Sequence, residues 1–298
     1  MTNADRFPID AELARSLLRE QRPTLAGHPI VPQPDGGTTH VLFRLGSDLA
    51  IRFPGSPRAV PQCAKEQAWL PRIAPELSIA VPTPIFAGRP SALFAAPWSV
   101  VPWIEGEAAW SAMHVHPDAL AGDLATFIAE LSAAPTAGGP APGNHNFGRG
   151  IALDERDEAT RAALRQIVDD APVRRLLALW ERALDAEPSA EPRWIHGDLH
   201  GGNLIVRDGR LAGVIDFGGL AVGDPACDLA CAWYELGPRA RRAFRSVIDP
   251  SEASWTRARG WAVSVAAIQL PYYRDRHEKI ERLARRTLAA VLQDDDGP

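Results

Sequence analysis

Two short apolar runs, Leu204-Ile-Val206 and Leu211-Ala-Gly-Val-Ile215, are joined by Asp208-Gly209 and preceded by a third, Arg193-Trp-Ile195. Asp-Gly between apolar runs is favoured for a two-residue hairpin, because both central positions need positive φ. Residues 193–215 therefore read as strand, loop, strand, turn, strand. Around that framework sit His196-Gly-Asp198-Leu-His200-Gly-Gly-Asn203 and Asp216-Phe-Gly218. Asp198 and Asn203 fall on the loop before the hairpin, and Asp216 falls just past its end. Alternation along short strands lets these groups converge at one end of the hairpin. Gly201-Gly202 and Gly218-Gly219 give the flanking loops freedom to bring backbone close to a phosphate or a metal.

One candidate base, one amide and one further carboxylate thus lie within a single strand–turn–strand unit. Phosphoryl transfer from a magnesium nucleotide needs such a set: a proton acceptor for the incoming hydroxyl and two oxygen ligands for the metal. A His-x-Asp-x-His string also suits a zinc hydrolase, since imidazole and carboxylate are ordinary zinc ligands. Against zinc, no further His lies nearby downstream, the two histidines flank the carboxylate in a loop, and the Asn203–Asp216 pair is all-oxygen. A polar turn satisfied by its own hydrogen bonds explains one Asp but not the whole set.

Together with Gly223-Asp224-Pro225-x-x-Asp228-Leu229, these segments resemble the aminoglycoside phosphotransferase family. The resemblance covers most of the chain. It implies a two-lobed α+β fold of the protein-kinase kind, with a small β-rich N-lobe (residues 1–104, nucleotide-binding) and a larger, mostly helical C-lobe (residues 105–298, catalytic and acceptor-binding). It also implies that Asp198 orients the acceptor hydroxyl and takes its proton, and that Asn203 and Asp216 hold Mg2+. Asp228 and His196 would support the catalytic loop, with ATP or GTP as phosphate donor. The implied acceptor is a hydroxyl of an aminoglycoside or related antibiotic, with a resistance role. The same fold also phosphorylates choline, fructosamine and homoserine, and a nucleotide-binding pseudokinase is the non-enzyme alternative.

In the N-terminal part, Asp35-Gly-Gly-Thr-Thr39 precedes the runs Val41–Leu45 and Leu49–Phe53, which read as strand, turn, strand. The backbone at Gly37 and Thr38 is placed to approach phosphates, although a plain hairpin turn accounts for the glycines as well. Nucleotide kinases place a lysine on the second strand. Here the matching cation is Arg52, in a chain whose lysines are Lys65 and Lys279 alone. Arginine grips phosphate through a fork of donors, so charge is kept while reach and geometry change. Its expected partner is Glu66, on a helix from about residue 59 to 73 that Pro71 should end early. Trp98–Ile104 reads as the last N-lobe strand and the hinge. Pro102 has no amide hydrogen, so a nucleobase would meet the N–H of Trp103 or Ile104, unless Trp103 is core.

The C-terminal part is mostly helical by periodicity, with helices expected over 117–132, 159–168, 173–184, 228–236, 255–270 and 280–292. Pro271-Tyr-Tyr-Arg-Asp275 should interrupt the last two, and Glu235, Tyr272 and Tyr273 are the acceptor-binding candidates. Asn144-His-Asn-Phe-Gly148 follows an Ala/Pro/Gly-rich loop and is a further segment expected near the substrate. At 46% apolar and 23% charged, a chain of 298 residues can build two modest lobes. A net charge of −5 disfavours nucleic acid as a partner. No apolar run reaches membrane-spanning length, the N-terminus is too polar for a signal peptide, and Cys63, Cys227 and Cys231 give no even disulfide framework. These features point to a cytoplasmic enzyme with nucleotide and a small hydroxyl compound as its partners.

Overall fold

The computed structural model describes residues 6–33, 39–167 and 170–294. Its N-terminal lobe is a five-stranded antiparallel sheet of β1 (Ile30–Gln33), β2 (His40–Leu45), β3 (Leu49–Pro54), β4 (Phe86–Gly88) and β5 (Trp98–Pro102), in spatial order β1-β2-β3-β5-β4. The β2–β3 register pairs Leu42 with Arg52 and Phe43 with Ile51. One face of the sheet is aromatic: Phe53 stacks on Trp98 at 5.6 Å and meets Phe43 and Phe94 edge-on. Helix α1 (Ala11–Gln21) closes this core with Leu17 and Leu18, and its first turn is capped by Asp10, which accepts from the Leu13 N–H at 2.8 Å. No element is expected there from the sequence; the Asp10 cap and the buried spacing of Ala14, Leu17 and Leu18 are the signals that mark it.

Helix α2 (Val60–Ile73) links the two lobes. It carries Glu66 toward β3, while Leu70 and Ile73 belong to the core of the C-terminal lobe. Contrary to expectation, the helix runs through Pro71. A proline so near the C-terminus removes only one hydrogen bond and leaves the preceding turns intact.

The C-terminal lobe is helical around two small sheets. Strand β6 (Glu107–Ala108) leads into α3 (Pro117–Ala133), α4 (Asp157–Leu164) and α5 (Asp170–Asp185). Then come β7 (Arg193–Ile195), the hairpin β8 (Leu204–Arg207) and β9 (Arg210–Val214), and β10 (Ala221–Gly223), with β6 joining the hairpin and β10 pairing with β7. Asp208 and Gly209 both have positive φ, as the predicted turn requires. The expected helix at 228–236 is two short pieces, α6 (Ala226–Leu229) and α7 (Cys231–Glu235). Helix α8 (Pro238–Ile248), also unexpected, packs against α3, and α9 (Glu252–Tyr273) and α10 (Glu278–Gln293) complete the lobe. Helix α9 continues through Pro271 to Tyr273, so the predicted interruption begins three residues later. Among the described residues, no helix is long and apolar enough to cross a membrane.

Candidate active site

The loop between β7 and β8 carries Asp198 to the junction of the lobes, and its shape is imposed from beneath. Both oxygens of buried Asp228, on α6, accept backbone N–H groups: Oδ2 from His196 at 2.6 Å and Oδ1 from Gly197 at 2.8 Å. Burial pushes this carboxyl up to about 7, and the two backbone donors pull against that rise. His196 is fully buried. Its Nε2 donates to the Ile215 carbonyl at 3.0 Å, its Nδ1 accepts from the Asp198 N–H at 3.2 Å, and its ring meets Phe217 edge-on. Burial lowers its pKa to about 4, so the neutral imidazole ties the loop between β7 and β8 to the strand that delivers Asp216.

Asp198 keeps two-fifths of its side chain exposed. Desolvation alone would raise its pKa, but His200, 3.5 Å away, and then Arg149 and His196 hold it well below the usual carboxylate range. Asn203 is buried, and its Nδ2 donates to the Asp198 carbonyl at 2.9 Å and more distantly to Oδ2 at 3.4 Å. That orientation leaves Oδ1 of Asn203 as its available acceptor. Asp216 sits in the left-handed region, with φ 62°, at the head of the short turn Phe217–Gly219. A non-glycine residue holds that conformation only where its surroundings dictate it, a situation that clusters at functional sites.

From the N-lobe, Arg52 reaches Asp216. One guanidinium nitrogen donates to Glu66 Oε2 at 2.5 Å, and the other donates to Asp216 Oδ1 at 2.8 Å and to His40 Nδ1 at 3.1 Å. The expected Arg52–Glu66 pair is therefore present, and it extends to Asp216. Glu66 has its carboxyl raised by burial, against the pull of Arg52. Asp216 is lowered: desolvation would raise it, but Arg52 and His40 outweigh that effect. His40 is a site residue that sequence reasoning missed. It lies diagonally across the β2–β3 register from Arg52, and burial followed by Arg52's charge lowers it to about 3. Lys65 is the other missed residue. Its Nζ donates to the Gly218 carbonyl at 2.8 Å and meets His145 Nδ1 at 3.1 Å, clasping α2 to the turn after Asp216.

Gly37 and Thr38 lie outside the described residues. At the hinge, the Trp103 N–H donates to the Asp48 carbonyl at 2.7 Å, while its ring lies under Arg44, so Ile104 offers the remaining amide of the pair. Glu235 is buried behind the loop between β7 and β8, accepting from the Gly201 N–H at 2.7 Å with Arg286 3.7 Å away. Tyr272 is exposed and Tyr273 half-buried, with their rings in edge contact at 4.8 Å.

The structure thus brings Asp198, Asn203, Asp216, Arg52, Glu66, His196 and Asp228 together. The sequence matches the model of the phosphotransferase enzyme family over residues 31–261, most of its length. The chain belongs to that family. No curated protein sequence matches it significantly. Among solved structures, the phosphotransferase is similar to the GDP complex of aminoglycoside 2'-phosphotransferase-IIIa, with 22% identity, 96% of this chain and 100% of that one covered, and a TM-score of 0.71. It is also similar to a macrolide 2'-phosphotransferase from Brachybacterium faecium, with 20% identity, coverage of 96% and 99%, and a TM-score of 0.64. A third is an aminoglycoside phosphotransferase bound to streptomycin and ATP, with 19% identity, coverage of 96% and 97%, and a TM-score of 0.60. At these identities the likeness is one of fold, and it places the phosphotransferase in the kinase-like two-lobed class.

Proposed function

We propose that this phosphotransferase moves the γ-phosphate of ATP or GTP, with Mg2+, to a hydroxyl of an aminoglycoside-like antibiotic or a related small molecule. What supports this reading is the meeting of Asp198, Asn203 and Asp216 at the lobe junction, with Arg52 bridging Glu66 to Asp216. Residues 1–104 act as the nucleotide lobe and residues 105–298 as the catalytic and acceptor lobe. Asp198, ionised and open to solvent, takes the proton of the incoming hydroxyl. Asn203 Oδ1 and the Asp216 carboxylate are the oxygen donors that would hold Mg2+. One or two such protein groups completed by phosphates is the usual provision for this ion. Bound there, Mg2+ supplies positive charge against the phosphate oxygens. Arg52, anchored by Glu66, steadies the phosphates, and the free Ile104 amide meets the base. His196 and Asp228 fix the loop without touching the reacting atoms. Buried, unbridged Cys63, Cys227 and Cys231 suit a reducing cytoplasm.

The test is a calorimetric titration with ATP and GTP, with and without Mg2+, on the wild type and on Asp216→Ala. The wild type should bind nucleotide only with Mg2+, and Asp216→Ala should lose that dependence together with the affinity. Equal affinity in the variant would remove Asp216 from the metal site. No binding by the wild type would end the kinase reading.

A further inference from the structure

Asp198 has a cationic and aromatic neighbourhood on the side facing away from Arg52, and the reading above gives those groups no role. The central one is Arg149. The segment before it is fixed by Asn146, which is fully buried. Its Nδ2 donates to the Arg149 carbonyl at 2.8 Å and to the Gly219 carbonyl at 3.2 Å, while its Oδ1 accepts from the Gly143 N–H at 2.9 Å. The Arg149 N–H in turn donates to the Asn146 carbonyl at 3.1 Å. This pinning lays Arg149 against the catalytic loop: a Cβ added at Gly197, the residue before Asp198, would lie 3.0 Å from the Arg149 Cβ. The Arg149 side chain is half-buried, and among the described residues its guanidinium makes no hydrogen bond or ion pair. Its charge acts on Asp198, Tyr234 and Tyr273, the last two on the helical side of the site. Asp216 draws its balancing charge from Arg52 instead.

A second wall carries the same sign. Trp110, just past β6, stacks on His200 with ring centres 5.3 Å apart. Lys279 Nζ lies 5.1 Å from the Trp110 ring centre and donates to Ser111 Oγ at 3.0 Å. His277 follows at 6.4 Å from Trp110, with Tyr273 beyond it at 6.1 Å. Three nearby carboxylates are engaged, Glu235 by the Gly201 N–H and Arg286, Glu278 by Arg282, and Glu281 by Arg285, while Asp275, between Tyr273 and His277, is exposed and makes no ion pair among the described residues. A polycationic acceptor would meet the charges of Arg149 and Lys279, with Asp275 at the exposed edge as the one carboxylate of these four that is not engaged. A compound bearing an anion would find an unpaired fork of guanidinium donors, which fits a carboxylate or phosphate in two-point contact.

We infer that the acceptor of this phosphotransferase is a hydroxyl compound that also carries a carboxylate or phosphate, gripped by Arg149 beside Asp198. The inference rests on the kinase reading and selects among the small molecules that reading allows. Arg149 then orients the acceptor so that one of its hydroxyls faces the Asp198 carboxylate, while Trp110 and Tyr273 flank the rest of the molecule.

The test is calorimetry in the presence of Mg2+ and ADP, with gluconate, glucose 6-phosphate, glucose and kanamycin as probes. One or both anionic probes should bind at least tenfold more tightly than glucose or kanamycin, and comparison of gluconate with glucose 6-phosphate separates carboxylate from phosphate. Arg149→Gln should abolish that preference and Arg149→Lys should restore part of it, with the affinity for ADP unchanged in both. In turnover assays with the preferred probe, Arg149→Gln should raise KM more than it lowers kcat. Lys279→Gln, at an exposed position, should weaken the preference in the same direction by a smaller factor. A preference for kanamycin, no discrimination between the anions and glucose, or an anion preference that survives Arg149→Gln would each overturn the inference. Failure of the kinase reading itself would look different, because ADP and Mg2+ would not bind before any acceptor was added.

Discussion

Replacing Arg52 by Met removes the cation that bonds both Glu66 and Asp216 at the lobe junction. Glu66 is almost wholly buried, and its Oε1 already lacks a partner. Without Arg52 its charge is left uncompensated in the interior. Breaking a buried ion pair by deleting one partner costs about 3–5 kcal/mol, chiefly because the other charge stays buried. The Asp216 contact adds little, since that side chain is about one-third exposed and water screens it. Adding Glu66→Gln removes the orphaned charge, so the double variant should recover most of the loss. The pH dependence has a definite sign. Burial raises the Glu66 carboxyl and Arg52 opposes that rise, so deleting Arg52 raises it further. Over the interval between the two folded-state values, the folded variant holds more protons than the folded wild type. The stability gap therefore widens as pH rises through that interval and narrows as pH falls. Asp216 and His40 both feel Arg52 in the sense that reinforces this trend. Urea unfolding followed by tryptophan fluorescence at several pH values, on the wild type, both single variants and the double variant, measures the whole cycle. A loss below about 1 kcal/mol for Arg52→Met, the range of an exposed pair, would refute the reasoning. So would a double variant no more stable than Arg52→Met.

Asp198→Asn should lower turnover by about 10²–10⁴, the usual size of a general-base contribution, while nucleotide affinity measured by titration is retained. Gly197→Ala should cost roughly 1–3 kcal/mol in urea unfolding and lower turnover as well. Gly197 has φ +79°, and a Cβ there would lie 2.8 Å from the Gly219 carbonyl oxygen, a backbone atom that cannot rotate away.

The hairpin and its flanking groups were legible because their signals are local. Asp208-Gly209 dictates the turn, and the spacing from Asp198 through Asn203 to Asp216 follows once two short strands are assigned. Arg52 and Glu66 were legible for a different reason, since the resemblance to nucleotide kinases implied a cation on the second strand paired with a carboxylate on the following helix. What stayed hidden depends on contacts between distant segments. His40 reads as an ordinary strand residue until the β2–β3 register sets it diagonal to Arg52, and Lys65 reads as a solvated helix lysine until α2 packs on the Asp216 turn. Glu235 looked available to a ligand, yet it is spent on the Gly201 N–H, and the Trp103 amide is likewise taken by Asp48. Pro71 and Pro271 were read as stops because local sequence cannot show that a helix has already secured most of its packing before the proline arrives.

The carboxylates at the lobe junction are sorted into roles by what surrounds them. Asp228 and Glu66 are buried and raised, and each has a structural partner: two backbone N–H groups for the first and Arg52 for the second. Asp198 and Asp216 keep about a third or more of their side chains exposed and are lowered, Asp198 by His200 in its own loop and then by Arg149, and Asp216 by Arg52 from the other lobe. The raised pair is shut away from solvent with its partners fixed, which suits holding a loop and a helix in place. The lowered pair remains ionised at neutral pH and partly exposed, which is what the proposed proton acceptor and metal ligand require. Position along the chain does not separate the two kinds, because Asp216 and Asp228 flank the same short turn and strand. Burial separates them: α2 packs on the turn after Asp216 and brings in Glu66, and α6 sets Asp228 beneath the loop between β7 and β8. The site is therefore a product of lobe packing as much as of its motif.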